Sequence, residues 1–328
     1  MQLPLASEDG IEKGALILNY VDEIMAQFPA LRRKFFVIER RGWRGPNRSA
    51  EAEIKLVEDI ATLPETRARF PNALLLPFGP ADFVDHDAFR PVACVPDFDV
   101  IQISCWSPRK RVELLIQAAA RLPELSFVHL GHFEHGGTEA ERAYRAHCLR
   151  IARRSAPNVN FPYLDSDSNR GLPKDKAEIN QWINRARIGV LTAAPEGINR
   201  FKMECLSAGR PILVAADAGS VTQKHVNPLT GRLFSPTPER LAAEILAVRF
   251  ALEQFSPRAY VLANTGKDVA IAALKEALRQ LCERGGGRYH FDRIVWDGRN
   301  ESLVWGQAAH AELGRLCGAG VPSGFAQC

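Results

Sequence analysis

Two glutamates eight positions apart, Glu196 and Glu204, stand in PEGINRFKMECLSAGRPILV (195–214), which starts like a loop and ends like a buried strand. Carboxylates accept hydrogen bonds from sugar hydroxyls, as acids do for ribose in dinucleotide folds, so two acids at one cleft suggest two polyols. APEGIN forms the turn between the strand IGVLTAA and a helix, which puts Glu196 at the strand tip and Glu204 about one turn into the helix. Backbone amides from Gly197 to Arg200, including those of Ile198 and Asn199, could then face a phosphate at the positive end of that helix. A second constellation is SPRKRVELLIQA, with Arg109, Lys110 and Arg111 between a strand and its helix. Cations at a helix start work against the dipole, which favours a ligand role for at least one of them, Lys110 first, as neutraliser of a diphosphate. The plainer reading has Glu196 as a helix cap, Glu204 as a solvated helix residue and three solvated cations; the residues alone leave both open.

The elements that must carry these groups alternate. FDVIQISCW, LSFVHLG, NVNFPYL, IGVLTAA, PILVAA and GRLFSP read as strands, separated by the helices RVELLIQAAARL, TEAERAYRAHCLRIARR, DKAEINQWINRA and one through Met203 to Ala208. Strands alternating with helices imply a parallel, doubly wound α/β sheet, and ligands there sit beyond the carboxyl ends of the strands. Helices across PERLAAEILAVRFALEQF and GKDVAIAALKEALRQLCER follow, the second ended by the triple glycine at 285–287, and a last helix is predicted beyond it. In the first ninety residues the expected elements are a helix over IEKGALILNYVDEIMAQF, a strand over KFFVIERRG, a helix over AEAEIKLVEDIATL and a strand over NALLLPFG, with GWRGPNRS as a loop.

With 328 residues the chain exceeds what one core usually supports, and 46% hydrophobic against 24% charged residues exclude the disordered and fibrous classes. A net charge of +4, spread in short clusters, is too small for a nucleic-acid binder; anionic small ligands and an acidic membrane surface both fit. No run of 18 apolar residues and no signal-peptide pattern occur, so the expected location is the cytoplasm, peripheral to the inner face of the membrane if a membrane is touched at all. Seven cysteines without a CxxC pair predict reduced thiols and neither a disulfide framework nor a structural zinc. No acid-rich metal triad is visible either.

Over about residues 97–255 the chain resembles the C-terminal lobe of retaining glycosyltransferases of the GT-B fold, family 4. The resemblance is carried by Lys110, Leu114-Leu115-Ile116, Leu130-Gly131, the acid pair Glu196 and Glu204 with Gly209 and Pro211, and Thr230-Gly231 ahead of a helix with Leu241 and Ile245. It implies two Rossmann-like doubly wound lobes and a metal-independent, retaining transfer of a sugar from a nucleotide diphosphate sugar, the donor substrate, to an unidentified acceptor without a further cofactor. It also implies that Lys110 holds the diphosphate, Glu204 the ribose and Glu196 the sugar, with the amides of Ile198 and Asn199 on the diphosphate. EDGIEKGALILNYVDEI resembles the glycine-rich turn and helix after the first strand of the N-terminal lobe, which makes Gly10 a donor-site candidate.

The expected organisation is a reduced acceptor-side lobe over 1–92, a nucleotide-sugar-binding lobe over 93–265, and C-terminal helices over 266–328 packing back on the first lobe. Ser104 stands where the family has an arginine and Asn199 where it has a glycine, and Arg200 or Arg109 could supply the missing charge. The short first lobe, apparently without its first strand, suggests either a start upstream of Met1 or a non-catalytic, partner-dependent relative completed by another subunit. A nicotinamide oxidoreductase lacks the required GxGxxG after a strand. His86 lies in the segment FPNALLLPFGPADFVDHDAF, which resembles the link between lobes.

Overall fold

The computed structural model describes residues 5–7, 10–40, 47–134, 136–163, 175–197 and 199–292. Two compact units are formed, one from Met1–Pro80 with Ala270–Cys328, the other from Ala81–Val269.

In the first unit, β1 (Leu5–Ser7) and β2 (Gly10–Glu12) pair as an antiparallel ribbon. A parallel sheet then runs in the order β3 (Gly14–Leu18), β4 (Phe35–Arg40), β5 (Ile54–Leu56) and β6 (Leu74–Leu76), with α1 (Val21–Gln27), α2 (Leu31–Lys34) and α3 (Leu63–Arg69) in the connections. Two expectations are corrected here. The stretch 11–28 is not one helix: GALIL is β3, with Ala15, Leu16 and Leu18 buried, and only the part after Tyr20 is helical. A strand covered on both faces reads as an unbroken apolar run, which periodicity cannot tell from a buried helix. The stretch 50–63 is likewise a strand and a 3-10 turn, because Lys55 points inward. Its ammonium lies 2.9 Å from the Glu39 carboxylate, donates to the Ser49 carbonyl and sits over the Phe70 ring, so a charged residue occupies a core position that patterning assigns to an exposed face. β3 supplies the first strand that the sequence reading finds missing. Gly10 therefore lies in a ribbon strand ahead of that first strand, not in a turn after it.

The second unit carries a six-stranded parallel sheet in the order β12-β11-β10-β7-β8-β9. Its elements are β7 (Phe98–Cys105), α4 (Val112–Ala119), β8 (Phe127–His132), α5 (Glu139–Ser155), β9 (Val159–Asn160), α6 (Lys176–Asn184), β10 (Ala186–Leu191), α7 (Arg200–Ser207), β11 (Ile212–Ala215), α8 (Ser220–Gln223), β12 (Gly231–Phe234), α9 (Pro238–Phe250) and α10 (Pro257–Asn264). The order reverses between β7 and β10, which makes their carboxyl ends the switch point where doubly wound sheets hold ligands. Local signals set the helix starts: Thr138 and Glu141 close a capping box on α5, and Asp175 and Thr237 cap α6 and α9. The helix expected over 238–255 ends at Phe250, and α10 is an additional element. From Gly266 to Gly285 runs α11; the predicted helix beyond the triple glycine lies outside the described residues. All five described cysteines are free, Cys94 exposed and the other four buried. No helix among the described residues is long and apolar enough to cross a membrane.

The segment after Pro80 is fastened into the second unit by charge. Asp82, fully buried, accepts from His225 Nε2 at 2.5 Å and Lys224 Nζ at 2.8 Å. These partners outweigh burial and hold its carboxyl down at about 2. Asp85 meets Lys176 at 2.9 Å and Lys267 at 2.8 Å, while Arg258 Nη1 donates to the carbonyls of His86, Phe89 and Ser207. His86 Nε2 itself lies 3.1 Å from Asp268, a structural role. Removing one member of a buried ion pair leaves the other uncompensated, so Asp82→Ala is expected to destabilise this unit by ~3–5 kcal/mol, read from urea unfolding at pH 7.

Candidate functional site

At the switch point the two loops are tied together through their backbones. β7 runs into a 3-10 turn, Pro108–Lys110, and Arg111 adopts a left-handed conformation (φ 46°) that turns the chain into α4. On the other side β10 continues through Thr192 to Glu196. Ala194 N donates to Arg109 O at 3.1 Å, Thr192 Oγ1 to Lys110 O at 2.6 Å, and Arg111 Nε to Thr192 O at 2.5 Å. Gln102, inside β7, donates to Thr192 Oγ1 at 2.6 Å and so anchors the hub of this tie in the sheet. The Arg111 guanidinium also grips Asp217 through two bonds of 2.8 Å. Of the three cations, Arg111 is thereby a structural brace.

Arg109 and Lys110 converge on Glu196. Arg109 Nη1 lies 3.0 Å from Glu196 Oε2 and 3.1 Å from Pro195 O, and the Lys110 ammonium pairs with the same carboxylate oxygen. The Glu196 and Lys110 side chains are each 10% exposed and that of Arg109 28%, so the cluster is partly desolvated, with the arginine nearest the solvent. The Glu196 backbone is held by its own amide on Ala218 O (3.1 Å) and by Thr222 Oγ1 on its carbonyl (2.6 Å). The two constellations, 86 residues apart in sequence, thus form one site.

α7 starts beside them. Asn199 is its N-cap, and its side chain accepts from Lys202 N at 3.2 Å; the residue in the family's glycine position does the work of a cap. Arg200 is exposed on the first turn. Glu204 is half-buried further along the same helix. Ile198 lies outside the described residues. Gly10 belongs to the first unit. Thr230-Gly231 proves to be a packing device: Thr230 Oγ1 donates to His225 O at 2.5 Å, and a Cβ on Gly231 would stand 1.9 Å from Ile212 O. Gly131 is likewise required by the Trp106 indole, 2.3 Å from where its Cβ would be.

Three groups escape sequence reasoning. Lys202 is fully buried, its ammonium donating to Thr222 O at 2.7 Å and Lys224 O at 2.5 Å, so it pins α7 to the end of α8. The only signal was a second base in an otherwise apolar run. Thr192 gave none. His132 ends β8 and feels the charges of Lys110 and Arg200.

Solved structures share this architecture. Sucrose-phosphate synthase from Thermosynechococcus elongatus matches with a TM-score of 0.62 at 16% identity over 80% of this chain and 71% of that one. HepE from Anabaena in complex with UDP matches with a TM-score of 0.60 at 16% identity over 80% and 78%. A glycosyltransferase from Rickettsia africae matches with a TM-score of 0.57 at 14% identity over 80% and 79%. The fold is GT-B-like. No family model matches the chain, and no curated protein sequence does.

Ser104, where the resemblance puts an arginine, is buried in β7 with Oγ 3.1 Å from His129 Nε2. Burial, with His132 adding to it, holds the His129 imidazole down at about 3. The unfolded chain takes up that proton first, near pH 6.5, so stability is lost as pH falls from about 6.5 towards 3, by at most ~1.4 kcal/mol per pH unit for this one group. Urea unfolding at pH 7, 6 and 5 should show a shallower decline for His129→Gln than for the native protein.

Proposed function

We propose that this chain is a glycosyltransferase that moves a sugar from a nucleotide diphosphate sugar to an acceptor, with retention of anomeric configuration and without a metal ion. The observation that supports this most is the meeting of Lys110, Arg109 and Glu196 at the switch point of a GT-B-like fold.

The chemistry follows from charge. When the bond between the sugar and the diphosphate breaks, the electron pair leaves with the diphosphate, and negative charge grows on its oxygens. Lys110 and Arg109 are two preoriented cations in a partly dry cleft, the setting in which such stabilisation counts most. Both cations meet the Glu196 carboxylate, which offsets part of their charge. Donor binding exchanges that carboxylate for phosphate oxygens, which releases Glu196 to accept hydrogen bonds from the sugar hydroxyls. Amides at the start of α7, whose positive dipole end faces this site, add to the diphosphate seat, and Glu204 takes the ribose hydroxyls. Supplying the positive charge from side chains is what lets the reaction proceed without a divalent cation. The nucleotide sugar is the donor substrate, and no further cofactor takes part.

The UDP bound by HepE makes UDP the first ligand to test, with GDP beside it. Calorimetry should find binding of at least one of them. Lys110→Ala should weaken it about 10- to 150-fold, as expected for losing a hydrogen bond to a charged group worth ~1.5–3 kcal/mol, and Glu204→Ala should weaken it in the same direction. Glu196→Gln removes the carboxylate that competes with the diphosphate, so nucleotide affinity should hold or rise while sugar transfer, followed with radiolabelled donors, drops by at least about a hundredfold. A protein that binds neither nucleotide would end this reading.

A further inference from the structure

Next to the seat of the two cations stands a histidine that the reading above leaves unused. His132 is the last residue of β8 and pairs in register with Cys105, the last residue of β7. Its carbonyl accepts from Trp106 N at 2.8 Å, so its backbone is fixed by the same strand end that launches the Arg109–Lys110 turn. The side chain is half-buried, and neither ring nitrogen has a hydrogen-bond partner among the described residues. Nδ1 is closed off from solvent, which leaves Nε2 as the atom open to a ligand.

An imidazole at this place needs a reason. A buried polar group without a partner costs stability. The charged groups acting on it come from every element around it: Lys110 from the turn after β7, Arg200 from the start of α7, Glu134 from the loop after β8 and Glu141 from α5. Glu141 is already committed to the capping box of α5, and Glu134 accepts from Cys105 Sγ at 3.3 Å. Glu134 also lies 4.0 Å from Arg109 Nη2, so the acids are partly engaged with cations, and an anion is the ligand that Lys110 and Arg200 favour here. Burial first, then Lys110, holds the imidazole down at about 4, so at neutral pH it is an uncharged hydrogen-bond donor.

Resting on the donor site proposed above, we propose that His132 is a further donor-binding residue, giving its Nε2–H to a phosphate oxygen of the nucleotide diphosphate held by Lys110 and Arg109. Such a contact adds an uncharged, directional donor beside the two cations. It also has a consequence that a packing role lacks. An anion beside the ring favours the imidazolium, so nucleotide binding near pH 6 draws a proton onto His132.

The test is calorimetry of UDP and GDP binding to the native protein, His132→Leu and His132→Gln, with unfolding of the free variants followed alongside. His132→Leu should weaken binding about tenfold or more. His132→Gln, which carries an N–H close to the place of Nε2, should recover affinity to within about threefold, as a restored hydrogen bond would. Proton uptake on binding at pH 6, measured in two buffers of different ionisation enthalpy, should be larger for the native protein than for His132→Gln. That measurement also decides the matter if His132→Leu does not fold. Equal affinity in His132→Leu, or equal proton uptake in His132→Gln, overturns the role of His132 while the donor site stands. Absence of binding to the native protein overturns both.

Discussion

The Glu196 carboxylate, drawn between the Arg109 guanidinium and the Lys110 ammonium, is the interaction on which the arrangement of this site turns. Two cations on adjacent residues of a tight turn repel each other, and a partly dry cleft magnifies that repulsion. An acid from the neighbouring loop offsets it, with Glu134 4.0 Å from Arg109 as a second. The order of the strands makes this encounter possible: β7 and β10 are neighbours in space, so the loop after each faces the loop after the other. The site is thus a product of topology, with residues far apart in sequence meeting because the strands that launch them are hydrogen-bonded side by side.

What keeps the encounter in place is a backbone hub, with Thr192 at its centre. It receives Gln102 from within the sheet, donates to Lys110 O and accepts from Arg111. The turn is held by its carbonyls and the side chains of Arg109 and Lys110 meet Glu196, while Arg111, with its left-handed backbone, braces the turn against Asp217. Three consecutive cations therefore do two jobs, and their backbone conformations decide which does which. The letters RKR put Lys110 first for a ligand but do not show that Arg111 is the brace.

Legibility in the sequence follows the same line. The second unit was readable because its strands are apolar throughout and its helices carry caps and periodic faces; the acid pair and Lys110 were readable because their spacing is tied to those elements. The first unit was misread where polar and apolar signals changed places. GALIL is a strand whose run of apolar residues matches a helix face equally well, and Lys55 is a charge inside a core, satisfied by Glu39 and a backbone carbonyl that no local pattern announces. Asn199 shows the opposite failure. It stands where the family has a glycine, and its side chain caps α7, a role that only the helix start in the structure makes visible.

Lys202 carries this argument one step further. The buried Lys202 ammonium donates to the backbone carbonyls of Thr222, within α8, and Lys224, just after it, and Thr222 also grips the carbonyls of Glu196 and Gly197. The helix α7, the turn bearing Glu196 and the end of α8 are thereby joined through buried polar bonds, where an apolar contact would allow sliding. A charge buried among carbonyls is a demanding way to fasten a helix, because each bond must be made for the burial to be tolerable. That demand fixes the distance between the start of α7 and the Glu196 carboxylate. Under the proposed function, in which a phosphate takes the place of that carboxylate between the same two cations, a constant distance is what the exchange needs.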